Sequence, residues 1–168
     1  MVVGRHAGTA GRKGTAIFEW PSQTTLPRSP SRFTSVLFLH PECPCSVASL
    51  AELELFMAAG SGRIDFLAVV TRPNGWKEDI EQSASWKRAR AIPGLKTYTD
   101  NQREAIRFGA QTSGHLFLFA PSGQRVFEGG ITAARGHQGE NSGLRAAMNL
   151  ALGKVEPKHS ASVFGCAL

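Results

Sequence analysis

The spacing of apolar residues changes period near residue 45, and that change limits the fold more than any other feature. Ser35-Val36-Leu37-Phe38-Leu39 is a short continuous apolar run, the mark of a strand covered on both faces. His40-Pro41-Glu42 breaks it. From Cys45 onward, Val47, Leu50, Leu53, Phe56 and Met57 recur at spacings of three and four, which predicts an amphipathic helix stopped by Gly60-Ser61-Gly62. A buried strand running straight into a helix belongs to a layered α/β architecture.

The rest of the chain extends this alternation. Residues 64–70 read as a second buried strand. Residues 77–90 read as a helix with a weak apolar stripe, ended by Pro93-Gly94. Residues 95–98 read as a short strand. Asp100 is expected to cap a short helix that turns Ala105, Ile106 and Phe108 inward and closes at Gly109. Residues 115–120 and 125–128 flank the turn Pro121-Ser122-Gly123-Gln124 and predict a hairpin. After Gly129-Gly130 and a polar loop, Asn141 or Ser142 caps a last helix carrying Leu144, Ala147, Met148 and Leu152 on one face. Alternation early and a hairpin late predict a mixed sheet with helices on both faces. The expected organisation is a flexible or extended segment over residues 1–32, one domain over 33–154 and a tail over 155–168.

The 168 residues are 42 % hydrophobic and 19 % charged, enough for one core without covalent staples. The net charge of +6 raises nucleic acid as a partner. Much of the excess lies near the start, at Arg5, Arg12, Lys13, Arg28 and Arg32, opposed there by Glu19, and no aromatic residues interleave with it. That pattern reads as a solvated lead-in and argues against nucleic-acid binding. No apolar run approaches the ~20 residues of a membrane span. The start has no apolar core of a signal peptide, so this chain reads as made without export.

Chemistry concentrates at Cys43-Pro44-Cys45, where the first strand meets its helix. A free thiol titrates near ~8.5, and the unpaired N–H groups of a helix start lower that value by stabilising the anion. Pro44 fixes one φ angle and offers no N–H of its own. Positions two apart can close a disulfide, in a small strained ring that is easily reduced. The expectation is therefore thiol–disulfide exchange, as oxidant or isomerase, with Cys43 as the more exposed attacking thiol and Cys45 as the resolving thiol. A protein or small-molecule thiol or disulfide is the expected partner, with no cofactor. The alternative is a copper(I) or zinc carrier, with Cys43 and Cys45 joined by an imidazole, His40 or more readily His115. The third cysteine, Cys166, is a further redox partner if the tail folds back, and otherwise a lone thiol.

His40-Pro41-Glu42-Cys43-Pro44-Cys45-Ser46-Val47-Ala48-Ser49-Leu50 resembles the signature of the RedB-like proteins, a bacterial group of the thioredoxin-like superfamily. Thr112-Ser113-Gly114-His115, the stretch from Gly129 to His137, Gly139-Glu140-Asn141 and Val163-Phe164-Gly165-Cys166 follow in the order of that group. The resemblance covers roughly residues 21–168. It implies a thioredoxin-like fold, a redox activity and a periplasm-facing location. It also implies a loop facing the dithiol that carries a cis-proline in the superfamily and Gly114 here. That departure brings His115 toward the sulfurs, as a base or a ligand. His137, Glu140 and Asn141 are candidates to wall the site from the other side or to hold a ligand, with Asn141 read in preference as a helix cap.

Overall fold

A computed structural model describes residues 8–168 apart from Lys13, Ala16 and Glu140. Arg5, Lys13 and Ala16 of the lead-in and Glu140 of the polar loop therefore lie outside the described residues. The apolar run forms β1 (Phe33–Leu39), whose residues from Val36 to Leu39 are completely buried. On one side β2 (Ile64–Thr71) pairs parallel to it and β3 (Lys96–Asp100) parallel to β2. On the other side β4 (His115–Phe119) and β5 (Arg125–Gly130) continue antiparallel. The order is β3-β2-β1-β4-β5, a mixed sheet with β1 at its centre.

Strand alternation sorts two cores onto the two faces. Leu37 and Leu39 meet Leu50, Leu53 and Phe56 of α1 (Cys45–Ala59), Ala89 of α2 (Ala84–Arg90), and Leu144 and Ala147 of α4 (Ser142–Ala151). Val36 and Phe38 meet Phe108 of α3 (Arg103–Phe108), together with Leu26, Trp20 and Leu168. Each fully buried Leu or Phe contributes ~1.5–3 kcal/mol relative to exposure, so these clusters dominate the stability.

Several local expectations are corrected. Residues 77–90 do not form one helix. A one-turn 3-10 helix over Ile80–Gln82 precedes α2, because the Asp79 carboxylate takes the Glu81 N–H and the Ser83 hydroxyl takes the Trp86 N–H. Each side chain starts its own short helix. The strand expected over 95–98 runs on to Asp100, so that residue ends β3 instead of sitting at the N-cap of α3. It still serves the helix, since its carboxylate accepts the N–H groups of Glu104 and Ala105 at 3.0 and 3.1 Å. The N-cap position itself is Gln102, at φ 71°. Ile106 is 73 % exposed and Val47 46 % exposed, so neither belongs to the core.

The segment before β1 is extended but not bare. Phe18 accepts the Arg125 N–H and Trp20 donates to Gly123, each at 2.8 Å. Trp20 packs edge-on against Phe108 and Phe119, and Leu26 is buried. Thr24 and Thr25 hydrogen-bond the Glu104 carboxylate, tying the segment to α3. The tail also lies on the body. The Glu128 N–H donates to His159 and the Ala161 N–H to Glu128, each at 3.1 Å, so the tail starts alongside β5. Val163 is fully buried. No helix among the described residues is long and apolar enough to cross a membrane.

Candidate active site

The turn 40–44 is held from three directions. The His40 N–H donates to Ser113 Oγ at 2.9 Å, and the Ser85 hydroxyl donates to the His40 carbonyl at 2.8 Å. Glu42 Oε1 accepts the Ala84 N–H at 2.9 Å, and Pro41 accepts the Ser85 N–H, which seats the start of α2 against the turn. Between α1 and α2 a groove of about 320 Å³ opens, lined by Cys43, Pro44, Val47, Leu50, Ala84 and Arg88 among others.

Pro44 stands at the N-cap of α1 in helical conformation and the first turn carries no acidic side chain. The electropositive helix start is therefore uncompensated by a fixed anion on its own turn. Cys43 lies just before it. Burial alone pushes the Cys43 thiol up, but the Cys166 S–H and N–H and the Cys45 N–H and S–H donate toward its sulfur. Together they hold its pKa below that of an ordinary cysteine. Cys45 is shifted the other way, by burial and by the Cys43 charge, against the pull of Arg135 and the Gly136 N–H. Burial and the same two neighbouring sulfurs push Cys166 up to about 12. The three cysteines thus form one group, with Cys43 shifted down and the other two shifted up.

This arrangement corrects the expected exposure. Cys43 is 3 % exposed and Cys45 half-buried, the reverse of the expectation. The folded-back tail brings Cys166 against Cys43. The Ser113 N–H donates to the Cys166 carbonyl at 2.8 Å. Gly165 makes that approach possible, because a Cβ there would lie 2.0 Å from the Ser113 carbonyl oxygen. Ser113 also meets the Ser46 hydroxyl at 3.3 Å, so one residue joins the tail, the end of β1 and the first turn of α1. Gly114 has φ 91°, and a Cβ on it would fall 2.9 Å from Ser49 Oγ of α1. Among the described residues no peptide bond is cis.

His115 does not join the sulfurs. Its side chain projects from β4 on the face opposite α1, where it stacks on Phe117 at 4.2 Å and meets Glu128 Oε2 at 2.6 Å. Among the described residues, no group of three His, Cys, Asp or Glu is placed to hold a metal ion, so the ligand set Cys43, Cys45 and His115 is not assembled. His40 turns its ring against Trp76 and accepts the Glu42 N–H at Nδ1. Burial lowers its pKa, against the pull of Glu42. His137 is exposed, and its backbone closes a turn onto Ala134. Asn141 caps α4 by accepting the Leu144 N–H at 2.6 Å.

The polar loop does wall the site, through residues with no sequence signal. Arg135 and Gly136 face Cys45, and Arg135 also acts on Cys166. The loop is pinned by Glu52, a buried carboxylate seven residues after Cys45 on α1, which accepts the Gly139 N–H at 2.5 Å.

No family model matches the chain, and no curated protein sequence matches it. Solved structures do. A hypothetical protein from Sinorhizobium meliloti is 20 % identical with TM-score 0.64, covering 95 % of this chain and 93 % of that one. An uncharacterized conserved protein from Geobacillus kaustophilus is 16 % identical with TM-score 0.65, covering 95 % and 91 %. The N-terminal domain of PilB from Neisseria gonorrhoeae is 15 % identical with TM-score 0.51, covering 74 % and 78 %. The fold is thioredoxin-like. In this thioredoxin-like frame the dithiol sits where the central strand passes into the first helix, with the loop 112–114 and the tail against it.

Proposed function

We propose that this chain is a thiol–disulfide oxidoreductase in which Cys43 is the nucleophile and Cys45 a resolving thiol. The observation that carries the reading is the placement of Cys43 in the groove wall just before the uncompensated N-terminus of α1, with Cys45 in its first turn. A helix start of this kind favours the thiolate, the nucleophilic form of a cysteine. Cys43 sits in the wall of the groove between α1 and α2, through which a protein or small-molecule disulfide reaches it. Stabilising the reduced thiolate raises the potential of the pair, which favours an oxidant or isomerase over a strong reductant. The five motifs shared with the RedB-like proteins support a place for the chain in that group.

The test is equilibration of the reduced protein in glutathione buffers, followed by acid quench, alkylation and mass spectrometry. The expected result is oxidation at Cys43 through a glutathione mixed disulfide and an internal disulfide, both lost in Cys43→Ser. Absence of any disulfide at Cys43 across all glutathione ratios would overturn the reading.

A further inference from the structure

We propose that Cys166 is a second resolving thiol, so that the site works as a three-thiol relay with Cys43 shared between Cys45 and the tail. This rests on the reading of Cys43 as the nucleophile. The first support is the way Cys166 is held. Backbone bonds fix the tail on both sides of it: Gly11 N–H to the Val163 carbonyl at 2.7 Å, Ser113 N–H to the Cys166 carbonyl at 2.8 Å, and Leu168 N–H to the Gln111 carbonyl at 3.1 Å. A residue carried loosely would not be fixed before and after by separate elements. Ser113 ties the tail to the turn after β1 and to the first turn of α1, and so seats Cys166 as a hydrogen-bonding neighbour of Cys43.

The second support is the contrast with Cys45. Cys45 also hydrogen-bonds Cys43, but a disulfide between positions two apart closes only a small, strained ring. Cys45 is also covered by Gly136 and Arg135. Cys166 arrives from the opposite end of the domain, and no ring size restrains it.

The third support is timing by charge. In the resting site burial, then the hydrogen bond to Cys43 and the Cys43 charge, push Cys166 up to about 12. Cys43 Sγ attacks one sulfur of a substrate disulfide, the substrate S–S bond breaks and one thiolate leaves. Cys43 is then neutral, and the nearby Arg135 cation favours ionisation of Cys166. The Cys166 proton passes to solvent, its sulfur attacks Cys43 Sγ, and the bond from Cys43 to the substrate breaks. The second substrate thiolate leaves. The substrate disulfide has gained two electrons, and Cys43 and Cys166 have been oxidised to one disulfide. Cys45 can then displace Cys166 from Cys43 with no change in oxidation state. The same steps run backward to oxidise a dithiol.

Cys45→Ser isolates the step. The full chain carrying this substitution is charged with oxidised glutathione, quenched at intervals, digested and mapped. The expected product is a peptide pair linking Cys43 to Cys166, with the Cys43–glutathione adduct decaying about tenfold or more faster than in Cys45→Ser/Cys166→Ser, since the attack is intramolecular. Wild-type protein at partial oxidation gives an independent measurement, and there both the 43–45 and the 43–166 linkages are expected. If glutathione stays on Cys43 in Cys45→Ser while Cys166 remains free, and wild type holds only the 43–45 linkage, the relay is overturned and the oxidoreductase reading stands. If glutathione never attaches to Cys43, the oxidoreductase reading itself falls.

Discussion

Replacing Gly165 by alanine tests the docking that brings the third sulfur to the site. A Cβ at 165 would lie 2.0 Å from the Ser113 carbonyl oxygen and 2.9 Å from its carbon. Those atoms are backbone, held by the neighbouring bonds of Gly114 to Phe38 and of Ser113 to the tail, so they cannot swing away. The tail must lift by about an ångström, which breaks the Ser113–Cys166 bond. Overpacking of this kind costs ~1–3 kcal/mol, and the lost hydrogen bond adds ~1 kcal/mol. For a chain of this size a loss of ~2–4 kcal/mol lowers Tm by about 4–16 °C. The assay pairs a thermal melt with the rate at which Cys166 is alkylated in the folded protein. The melt should fall and the alkylation should accelerate. Gly8→Ala, where a Cβ meets nothing within 4 Å, should change neither. A Gly165→Ala protein with unchanged Tm and unchanged Cys166 labelling would refute the account of how the tail is seated.

Three further outcomes follow from the same contacts. Because Cys43 is held below the ordinary thiol value, its alkylation rate should level off at a lower pH than the ~8.5 of a free cysteine, and Cys166→Ala should move that inflection upward. Glu104 has its carboxyl lowered, since hydrogen bonds from Thr24 and Thr25 and the Arg107 charge outweigh burial. Its contribution is therefore complete above the unfolded value and lost as pH falls through the folded one. Glu104→Gln should accordingly cost ~1–2 kcal/mol in urea unfolding at neutral pH and progressively less in the acid range below about pH 4. Glu52→Gln removes the carboxylate that takes the Gly139 N–H, and Cys45 should then be alkylated faster as the loop over it loosens. Equal rates in Glu52→Gln and wild type would count against the tether.

The sheet and its two cores were legible because their signals are periodic. The run through Leu37 and the spacing Leu50, Leu53, Phe56 report burial directly, and the structure places all of them in one core. Misreadings fell where an element is covered on one side only. Ile106 sits on a six-residue helix whose outer face meets solvent, and Val47 lines the open groove. The candidate dithiol and its place at the helix start were readable from Cys43-Pro44-Cys45. The seating of Cys166 was not, because the tail is fixed by single backbone bonds to separate elements and never forms a strand with period two. Arg135 gave no signal for a similar reason: a lone cation in a Gly-rich loop looks like any solvated arginine. His115 was misjudged because neighbours in sequence suggested nearness to the sulfurs, while strand alternation sends its ring to the other face.

Ser113 gives the molecule an order of assembly. Its backbone and hydroxyl join β1, α1 and the tail, elements that lie far apart along the chain. Contacts of such long sequence separation close late, after the sheet that frames them exists. Until residues 159–168 dock, Cys43 lacks both the cover and the donors that Cys166 supplies. The three sulfurs therefore come together only once the segment carrying Cys166 is in place.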